Sequence, residues 1–528
     1  MKYEEAVTYI KEGVSPGSRP GLERVSRLLA LLGDPQNELK IIHVTGTNGK
    51  GSVCTMLESV LGAAGYKTGL FTSPYIRKMN ECIRLDKQPI SDESFCDIIN
   101  FIRPLADAME DRPTEFEILS AAAMKVFHQK KCDVVICETG MGARLDATNT
   151  MKETLASVIV NVELDHMGFL GDTIEKIAFE KAGVIKQGCP VIFGGARENA
   201  RQVIEEQAKA RKAKLTMVDY NALENVRTDL GGCTFDFKEY RDIRLSLPGL
   251  YQPSNGAVAL TVISVLKERG LAISGDAVRS GMQSVSWPAR FETIIKEPLT
   301  IYDGAHNMAG ITVAVDSIRT YFDGQKVNIF MGVMADKEYD AMIELLKPYT
   351  NAVYTVTPAN PRALPAERLA DCFRKHGVRK AEAFDTLRDA AECALKDSMR
   401  EGKPLIALGT LYMYEETERI FRQCAAQRKH ARSAMHRNGK DLVKQVRTPP
   451  ERPADGVVGC VYESFVPGVW HRWMEKEILW FCFRRAEPDI ILSFSAGRCR
   501  QYLLLPEGFR RNERLRRVYR PRPLACGR

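Results

Sequence analysis

The sequence predicts an α/β protein: a P-loop domain built on a parallel sheet, then a second, smaller Rossmann-like α/β domain, and finally an atypical C-terminal tail. Three observations lead to this fold class. Short, nearly continuous apolar strands alternate with amphipathic helical stretches, the glycine-rich segment HVTGTNGKGS (43–52) follows one of these strands, and the alternation restarts after SWPARFE (286–292). Apolar strands of this kind are typical of a parallel sheet that is covered on both faces.

The domain organisation follows from length and from where these patterns stop. A chain of 528 residues exceeds what one hydrophobic core normally serves, so we expect two or three domains. We assign residues 1–288 to the first domain, 289–428 to the second, and 429–528 to a basic, Arg-rich tail without clear periodicity.

Each predicted element rests on a local pattern. LKIIHVTG (39–46) is the first strand, and the helix after the glycine-rich segment ends near Gly65. Further buried strands of the first domain are CDVVICETG (132–140), LASVIVNV (155–162) and CPVIFGG (189–195). The second domain repeats the pattern, with a helix at 339–346 and strands at 299–305, 326–333, 351–358 and 403–410.

The composition is that of a globular protein that we expect to stay in the cytoplasm. No apolar run approaches the ~18 residues of a membrane span, and the N-terminal MKYEEAVTYIKEG is too acidic for a secretion signal. The fourteen cysteines are scattered without CxxC pairs, which indicates reduced thiols used mainly for packing.

The net positive charge of the chain comes from its tail. Residues 431–528 carry 20 Lys/Arg and 10 Asp/Glu, more than the whole net charge of +8, so the rest of the chain is nearly neutral. We therefore expect nucleic acid to bind, if at all, only through the tail. Two interpretations of the tail stay open: an added basic module, or an out-of-frame or read-through product.

The glycine-rich segment has the context of a phosphate-binding loop. A strand, a glycine turn and a helix N-terminus direct backbone N–H groups at an anion, and a lysine can meet the terminal phosphates. The segment departs from the usual P-loop because Gly51 separates Lys50 from Ser52. The alternative is a plain strand-to-helix turn with an exposed lysine. The loop residues predicted to contact nucleotide are Thr47, Asn48, Gly49, Lys50, Gly51 and Ser52.

This departure, TGTNGKGS, resembles the loop of the Mur-ligase superfamily, and specifically of the folylpolyglutamate synthase and dihydrofolate synthase family. Further motifs resemble that family in the family's order, over roughly residues 1–425. They are RPGLERVSRLLALLGDPQ (19–36), GLFTSPYI (69–76), ETGMGARLDATN (138–149), LDHMGFLGDTIEKIAFEKAGVIK (164–186), DGAHN (303–307) and GTLYM (409–413).

The resemblance implies an ATP-dependent amide ligase that adds L-glutamate to reduced folates, with a second activity on dihydropteroate in some members. ATP would phosphorylate a carboxylate, and the amino group of glutamate would attack the acyl phosphate. Lys50, Arg290 and Mg²⁺ would stabilise the transferred charge. Members of the family are usually monomers, so the resemblance also implies a monomer.

The resemblance also implies two Mg²⁺ ions, with Ser52 and Glu138 at the first and His166 at the second. Lys181 would be carbamylated, which turns a cation into an oxygen ligand. From the residues alone, Glu138 could cap a helix, His166 could be a structural histidine, and Lys181 could be a surface charge paired with Glu180 or Glu175.

The remaining site residues come from the same resemblance. Asn255, Arg290, Asp303 and His306 match the family's contacts to ATP, whereas an ordinary hinge salt bridge is the alternative for Arg290. Thr114, Leu145, Asp146 and Ala147 match positions that bind pteroate, and the run after Leu145 could equally be a helix-capping turn.

Four positions depart from the family's pattern: Tyr75 stands in place of a histidine, Cys82 of an arginine, Ala289 of a glycine and Met308 of a proline. Three other functions compete with this one. A cell-wall Mur ligase is disfavoured by RLDATN (144–149) and by the lack of a UDP-binding domain before residue 39. A regulatory GTPase is disfavoured because the chain has no convincing Asn-Lys-x-Asp motif. The third is a nucleic-acid-binding protein that acts through the tail.

Overall fold

The first domain is organised around an eight-stranded sheet, described in a computed structural model that covers residues 1–12 and 19–427. The strands are β1 (Ile41–Thr45), β2 (Thr68–Phe71), β3 (Ile83–Leu85), β4 (Gln88–Pro89), β5 (Val134–Glu138), β6 (Ala156–Ile159), β7 (Val191–Phe193) and β8 (Leu215–Met217). Their order is β4-β3-β2-β5-β1-β6-β7-β8. Neighbouring strands from β2 to β8 run parallel, as predicted, but β3 and β4 extend one edge in antiparallel pairing.

Helices cover both faces of this sheet. They are α1 (Tyr3–Glu12), α2 (Glu23–Leu31), α3 (Lys50–Ala63), α4 (Asp92–Asp107), α5 (Glu115–Gln129), α6 (Met167–Leu170), α7 (Ile174–Lys181), α8 (Glu198–Ala210), α9 (Gln252–Glu268) and α10 (Gly275–Gln283). One core cluster packs α3, α9 and α10 on one face, and another packs α1, α2, α4 and α5 on the opposite face. This explains why the strands read as continuous apolar runs.

A three-stranded antiparallel sheet lies against α9 and was not predicted from the sequence. It consists of β9 (Leu223–Asp229), β10 (Gly232–Phe237) and β11 (Tyr240–Leu245). Phe235 and Phe237 are fully buried within the α3, α9 and α10 core. With this cover α9 is buried on nearly all sides, so its apolar residues show no helical stripe.

The second domain has a six-stranded sheet in the order β12-β13-β17-β14-β15-β16. Its strands are β12 (Glu292–Lys296), β13 (Leu299–Tyr302), β14 (Val327–Met331), β15 (Thr350–Thr355), β16 (Ala381–Ala383) and β17 (Leu405–Leu408), and its helices are α11 (Met308–Tyr321), α12 (Tyr339–Leu346), α13 (Ala366–Lys375), α14 (Leu387–Glu401) and α15 (residues 414–427). Only the β12–β13 pair is antiparallel among these strands. Core clusters on both faces confirm the predicted Rossmann-like unit.

Three expectations concern the limits of the chain. The tail at 429–528, including any nucleic-acid binding through it, lies outside the described residues. Within the ranges that are described, no helix combines the length and apolarity needed to cross a bilayer. The boundary between the predicted domains falls in the segment between α10 and β12 and stays a prediction.

Candidate active site

A cavity of about 1350 Å³ lies between the two domains, beyond the carboxyl ends of strands β1, β5 and β6. This is where open α/β sheets usually bind ligands. Every site residue predicted from the sequence lines it: Thr47, Asn48, Gly49, Lys50, Gly51, Ser52, Thr114, Glu138, Leu145, Asp146, Ala147, His166, Lys181, Asn255, Arg290, Asp303 and His306. The fold therefore brings together residues that are spread over more than 250 positions of the chain.

The glycines of the loop between β1 and α3 are explained by what lies against them. Gly49 is the N-cap of α3 with a φ of 82°, and a Cβ there would lie 2.5 Å from Asn255 Oδ1. A Cβ on Gly51 would lie 2.8 Å from Trp287 Nε1. The extra glycine that separates Lys50 from Ser52 thus makes room for an indole ring.

The same loop is held by an asparagine that sequence reasoning missed. Asn161 Oδ1 accepts from the backbone N–H groups of Thr47 and Asn48, both at 3.0 Å, and Asn161 Nδ2 donates to the carbonyl of Asn48 at 3.0 Å. Lys50 Nζ donates to the carbonyls of Gly46 and Thr47 at 3.1 and 3.3 Å. The only sequence signal for Asn161 is a polar residue just after a buried strand.

Ser52 lies on the inner side of α3 with no exposed surface. Its hydroxyl accepts from Gln252 Nε2 at 3.4 Å, and Gln252 Oε1 in turn accepts from Asn255 Nδ2 at 3.0 Å. The predicted nucleotide contact Asn255 is thereby linked to the loop through α9. Gln252 was not predicted.

Glu138 is the last residue of β5 and is buried. Burial raises the pKa of its carboxyl to about 7, although Lys50, Arg290 and the backbone N–H of Ser73 oppose the shift. Within the described ranges it forms no ion pair, and no helix begins at it, so the helix-cap alternative is wrong. A buried carboxylate without a direct counter-charge is suited to a bound cation.

Lys181 ends α7 and is buried, with only 3% of its surface exposed. Burial, reinforced by the charge of Lys50, lowers the pKa of its amine to about 7. The surface-pair alternative is wrong, because Glu180 pairs with Arg144 at 2.9 Å and Glu175 is exposed elsewhere on the helix. Among the described residues, no hydrogen bond or ion pair satisfies the amine of Lys181.

His166 stands at the start of α6 in a left-handed backbone conformation, with φ of 50°. Its side chain is 40% exposed toward the cavity, and burial of the rest lowers its pKa. The ring is therefore neutral near pH 7, and it lines the cavity rather than the hydrophobic core. A neutral imidazole is the form that binds metals.

Asp165, the neighbour of His166, joins the two domains. Its carboxylate accepts from Lys337 Nζ at 2.9 Å and from Asn307 Nδ2 at 2.8 Å, both in the second domain. Asn307 also exchanges side-chain hydrogen bonds with Asn48 of the loop at 3.2 Å. Burial alone would raise the pKa of Asp165, but His166, Lys337 and Asn307 outweigh it and hold that pKa well below its usual range.

The second domain and the segment before it supply three further predicted residues. Arg290 donates to the carbonyl of Ala289 at 3.0 Å and forms no ion pair in the part of the chain described, so the salt-bridge alternative is wrong. Asp303 accepts from Tyr251 OH and from the N–H of Phe291, each at 2.8 Å. Its carboxylate thereby fixes the backbone next to the guanidinium of Arg290.

His306 lies three residues after Asp303, in the loop that leads to α11. Its Nδ1 is 2.7 Å from the carbonyl of Gly304, which can only accept. Burial lowers the pKa of His306. The neutral ring therefore carries its proton on Nδ1 and offers Nε2 as an acceptor.

At the other end of the cavity, Thr114 and Asp146 already have hydrogen-bond partners within the protein. Thr114 and Glu117 form a reciprocal capping box at the start of α5. Asp146 accepts from the N–H groups of Gly140, Met141 and Thr148 at 2.9 to 3.0 Å. Asp146 closes a loop rather than a helix, so the helix-capping alternative is wrong for it. Leu145, beside it, is 36% exposed, and Ala147 is buried.

Two family models match the chain: the Mur ligase middle domain over residues 44–263, and the Mur ligase, glutamate ligase domain over 289–411. The dihydrofolate synthase/folylpolyglutamate synthase of Bacillus subtilis is 38% identical over 380 residues, which is 70% of this chain and 88% of that protein. Mycobacterium tuberculosis folylpolyglutamate synthase complexed with ADP is 30% identical, with a TM-score of 0.71 over 76% of this chain and 94% of that one. An FPGS–AMPPCP–folate complex is 31% identical, with a TM-score of 0.69 over 78% and 97%.

The chain belongs to the folylpolyglutamate synthase/dihydrofolate synthase family of Mur ligases. The family predicted from the sequence is thereby confirmed, together with nucleotide use and folate as the substrate class. The predicted activity, ATP-dependent ligation of glutamate to folates, is also confirmed, and neither a cell-wall ligase nor a nucleic-acid-binding protein is favoured.

The four departures from the family's pattern sit in or beside this ligase site. Tyr75 and Cys82 line the cavity. Ala289 has a φ of 56°, a left-handed conformation that favours glycine, so the glycine usual in the family has a physical reason. Met308 is the first residue of α11, a position that does not require the proline of the family's pattern.

Proposed function

We propose that this family member adds L-glutamate to the terminal carboxylate of reduced folates through an acyl phosphate, as a monomer in the cytoplasm. The observation that carries the proposal is one cavity that holds both a phosphate-binding loop and two buried ionisable groups, Glu138 and Lys181, which have no ion-pair partner in the described part of the chain. We assign the chemistry to residues 1–288 and 289–428, which face each other across that cavity.

The loop residues bind the triphosphate of ATP. The N-terminus of α3 presents backbone N–H groups and a positive dipole end to the phosphates. When ATP binds, the amine of Lys50 leaves the carbonyls of Gly46 and Thr47 and binds the β- and γ-phosphates. Asn255 lies against Gly49 and Arg290 lies across the cavity, so each approaches the nucleotide from a different side.

The donor set fits two Mg²⁺ ions, provided that Lys181 is modified. Glu138 supplies an anionic oxygen, whereas the protonated amine of Lys181 would repel a dication. Because Mg²⁺ prefers oxygen ligands, the assignment of the neutral imidazole of His166 to the second ion rests on the family resemblance. The lowered pKa of Lys181 leaves much of its amine neutral near pH 7, which is the form that reacts with CO₂ to give a carbamate. Mg²⁺ would supply the positive charge that lets a carboxylate approach a triphosphate. Ser52 would have to exchange its contact to Gln252 before it could join this set.

The reaction has two steps, phosphorylation of the folate and formation of the amide bond. A carboxylate oxygen of the folate attacks the γ-phosphorus of ATP and ADP leaves, which gives the acyl phosphate. The uncharged amine of L-glutamate then attacks the acyl carbon, inorganic phosphate leaves, and one proton of the original ammonium is released. Lys50 and Arg290 stabilise the charge on the transferred phosphoryl group.

Contacts between the domains protect the acyl phosphate from water. Asp165 binds Lys337 and Asn307, and Arg77 pairs with Glu418 at 2.6 Å, so polar contacts join the two domains at two places. A closed site excludes water, which would otherwise hydrolyse the intermediate.

The end of the cavity around Thr114 and Asp146 receives the pterin and its aromatic linker. The capping box and the Asp146 loop fix the shape of this end, and Leu145 offers apolar surface to a flat ring. The same end would accept dihydropteroate, and we propose dihydrofolate synthase as a second activity. The domain boundaries, the monomeric state and the individual residue roles are parts of the same proposal.

One experiment tests the proposal: incubation of the protein with ATP, Mg²⁺, labelled L-glutamate and either tetrahydrofolate or dihydropteroate. We expect label in both acceptors and one ADP per amide bond formed. Label in tetrahydrofolate alone would remove the second activity. Label in neither acceptor, with a folded protein, would contradict the proposal.

A further inference from the structure

We propose that the second domain carries a transition-metal site, separate from the ligase cavity, in which Asp340, Cys372 and His376 bind an ion such as Zn²⁺. None of these three residues lines the ligase cavity. They lie where α12 and α13 pack side by side, and their ligand atoms all lie within 4.8 Å of one another.

The spacing on the two helices brings the donors together. Asp340 and Glu344 are one turn apart on α12, and Cys372 of α13 is one turn before His376 at the C-cap of that helix. Asp340 Oδ1 is 3.1 Å from Cys372 Sγ and 3.0 Å from His376 Nε2. A tetrahedral zinc site, with bonds of about 2.0–2.3 Å, holds its ligand atoms only slightly further apart than this.

His376 is oriented as a metal-binding histidine is. Its Nδ1 lies 2.8 Å from Glu344 Oε2, so the carboxylate accepts the Nδ1 proton and directs Nε2 toward Asp340 and Cys372. A carboxylate behind the second ring nitrogen is the usual support of a histidine ligand. Glu344 is itself paired with Lys347 at 2.6 Å, which holds that carboxylate in place.

The donor set selects for a transition metal rather than Mg²⁺. It contains one sulfur, one imidazole nitrogen and one carboxylate oxygen, whereas Mg²⁺ takes oxygen ligands almost exclusively. The thiol of Cys372 is buried, while the side chain of Asp340 is 75% exposed. An ion would therefore contact water at its fourth position. Bound there, it would join α12 to α13 just after the segment that carries Lys337, the partner of Asp165.

Co²⁺ is the probe that reports both the site and its sulfur ligand. We expect the full-length protein, saturated with Mg²⁺, to bind Co²⁺ with the intense visible bands of tetrahedral cobalt and the near-ultraviolet band of a thiolate–cobalt bond. Zn²⁺ should displace Co²⁺ and abolish both. Since the chain has fourteen cysteines, the assignment depends on variants.

Cys372→Ser should lose the thiolate band, and Cys393→Ser, which changes a half-buried thiol of α14 in the same domain, should keep it. Glu344→Gln keeps all three ligands and should weaken Zn²⁺ binding about 10- to 100-fold while the band persists. Circular dichroism without metal checks that each variant is folded. Absence of the band in the unaltered protein, or its persistence in folded Cys372→Ser, would overturn the proposal.

Discussion

Each end of the ligase cavity buries a carboxylate, and the two carboxylates differ in how many hydrogen bonds the protein gives them. At the phosphate end, Glu138 receives one backbone N–H and forms no ion pair within the described residues. At the pterin end, Asp146 is surrounded by the N–H groups of Gly140, Met141 and Thr148 and by the hydroxyl of Thr148. Burial raises the pKa of both groups, but the chain donates four hydrogen bonds to Asp146 and only one backbone N–H to Glu138.

This difference separates residues that lack partners until a ligand binds from residues that hold the backbone of the cavity in place. An uncompensated buried charge costs stability until a cation binds, whereas a saturated carboxylate stabilises the loop that holds it. Lys181 belongs with Glu138 in the first class, and Thr114 belongs with Asp146 in the second. Amide substitutions can test this assignment, because they remove charge with little change in shape.

Glu138→Gln should give the largest effect on activity, a loss of glutamate incorporation of at least about 100-fold, because a direct metal ligand matters more than its supporting partners. The same change should also stabilise the protein when Mg²⁺ is absent.

The Glu138 pKa is raised from 4.5 to about 7, so the unaltered protein loses stability as the pH rises between these values. The Glu138→Gln variant has no carboxyl to ionise and does not lose it. The gain in unfolding free energy should reach about 3 kcal/mol at pH 8 and vanish below about pH 4.5. Urea melts at both pH values measure it, and a destabilised variant at pH 8 would contradict this view of Glu138.

Lys181→Ala should lower activity by at least about 10-fold, because the variant lacks the carbamate oxygen that would bind Mg²⁺. Carbon-13 NMR after incubation with labelled bicarbonate should show a carbamate in the unaltered protein and none in the variant. Lys176→Ala is the matched control, because that lysine lies on the same helix with its side chain 62% exposed. Full activity in Lys181→Ala would place this amine outside the reaction.

Asp146→Asn should destabilise the protein by about 1–3 kcal/mol at pH 7, opposite in sign to the change at Glu138, because an amide NH₂ would face backbone donors. Chemical denaturation gives the value. Apparent affinity for the folate should weaken with it, while the KM for ATP stays nearly constant. A stability equal to that of the unaltered protein would remove the distinction between the two carboxylates.

Ala289→Gly should give the smallest effect, a gain of about 0.5–1 kcal/mol, since glycine adopts the φ of 56° without strain. Ala305→Gly, at a buried neighbour without positive φ, is the control and should destabilise the protein. A loss of stability in both variants would mean that packing of the Ala289 methyl outweighs the backbone term.

The position of this cavity could be predicted from the sequence, because the motifs lie at the ends of strands whose order follows from α/β topology. Glu138 at the end of β5 and the loop after β1 are examples, since adjacent parallel strands bring them to one edge. The burial of Lys181 could not be predicted, because the short helix α7 shows the same local pattern as a surface helix. Asn161 and Gln252 escaped prediction because their contacts depend on side-chain approach between distant segments. The sheet formed by β9, β10 and β11 was missed because its strands lie in a segment without a motif.

The most direct test of the account is the transfer of oxygen from folate to phosphate. We would supply tetrahydrofolate with oxygen-18 in its terminal carboxylate, together with ATP, Mg²⁺ and L-glutamate, and analyse the released phosphate by mass spectrometry. The account predicts one labelled oxygen in inorganic phosphate for every amide bond formed, and none in a Lys50→Ala variant that forms no amide. Amide formation with unlabelled phosphate would contradict an acyl phosphate in this cavity.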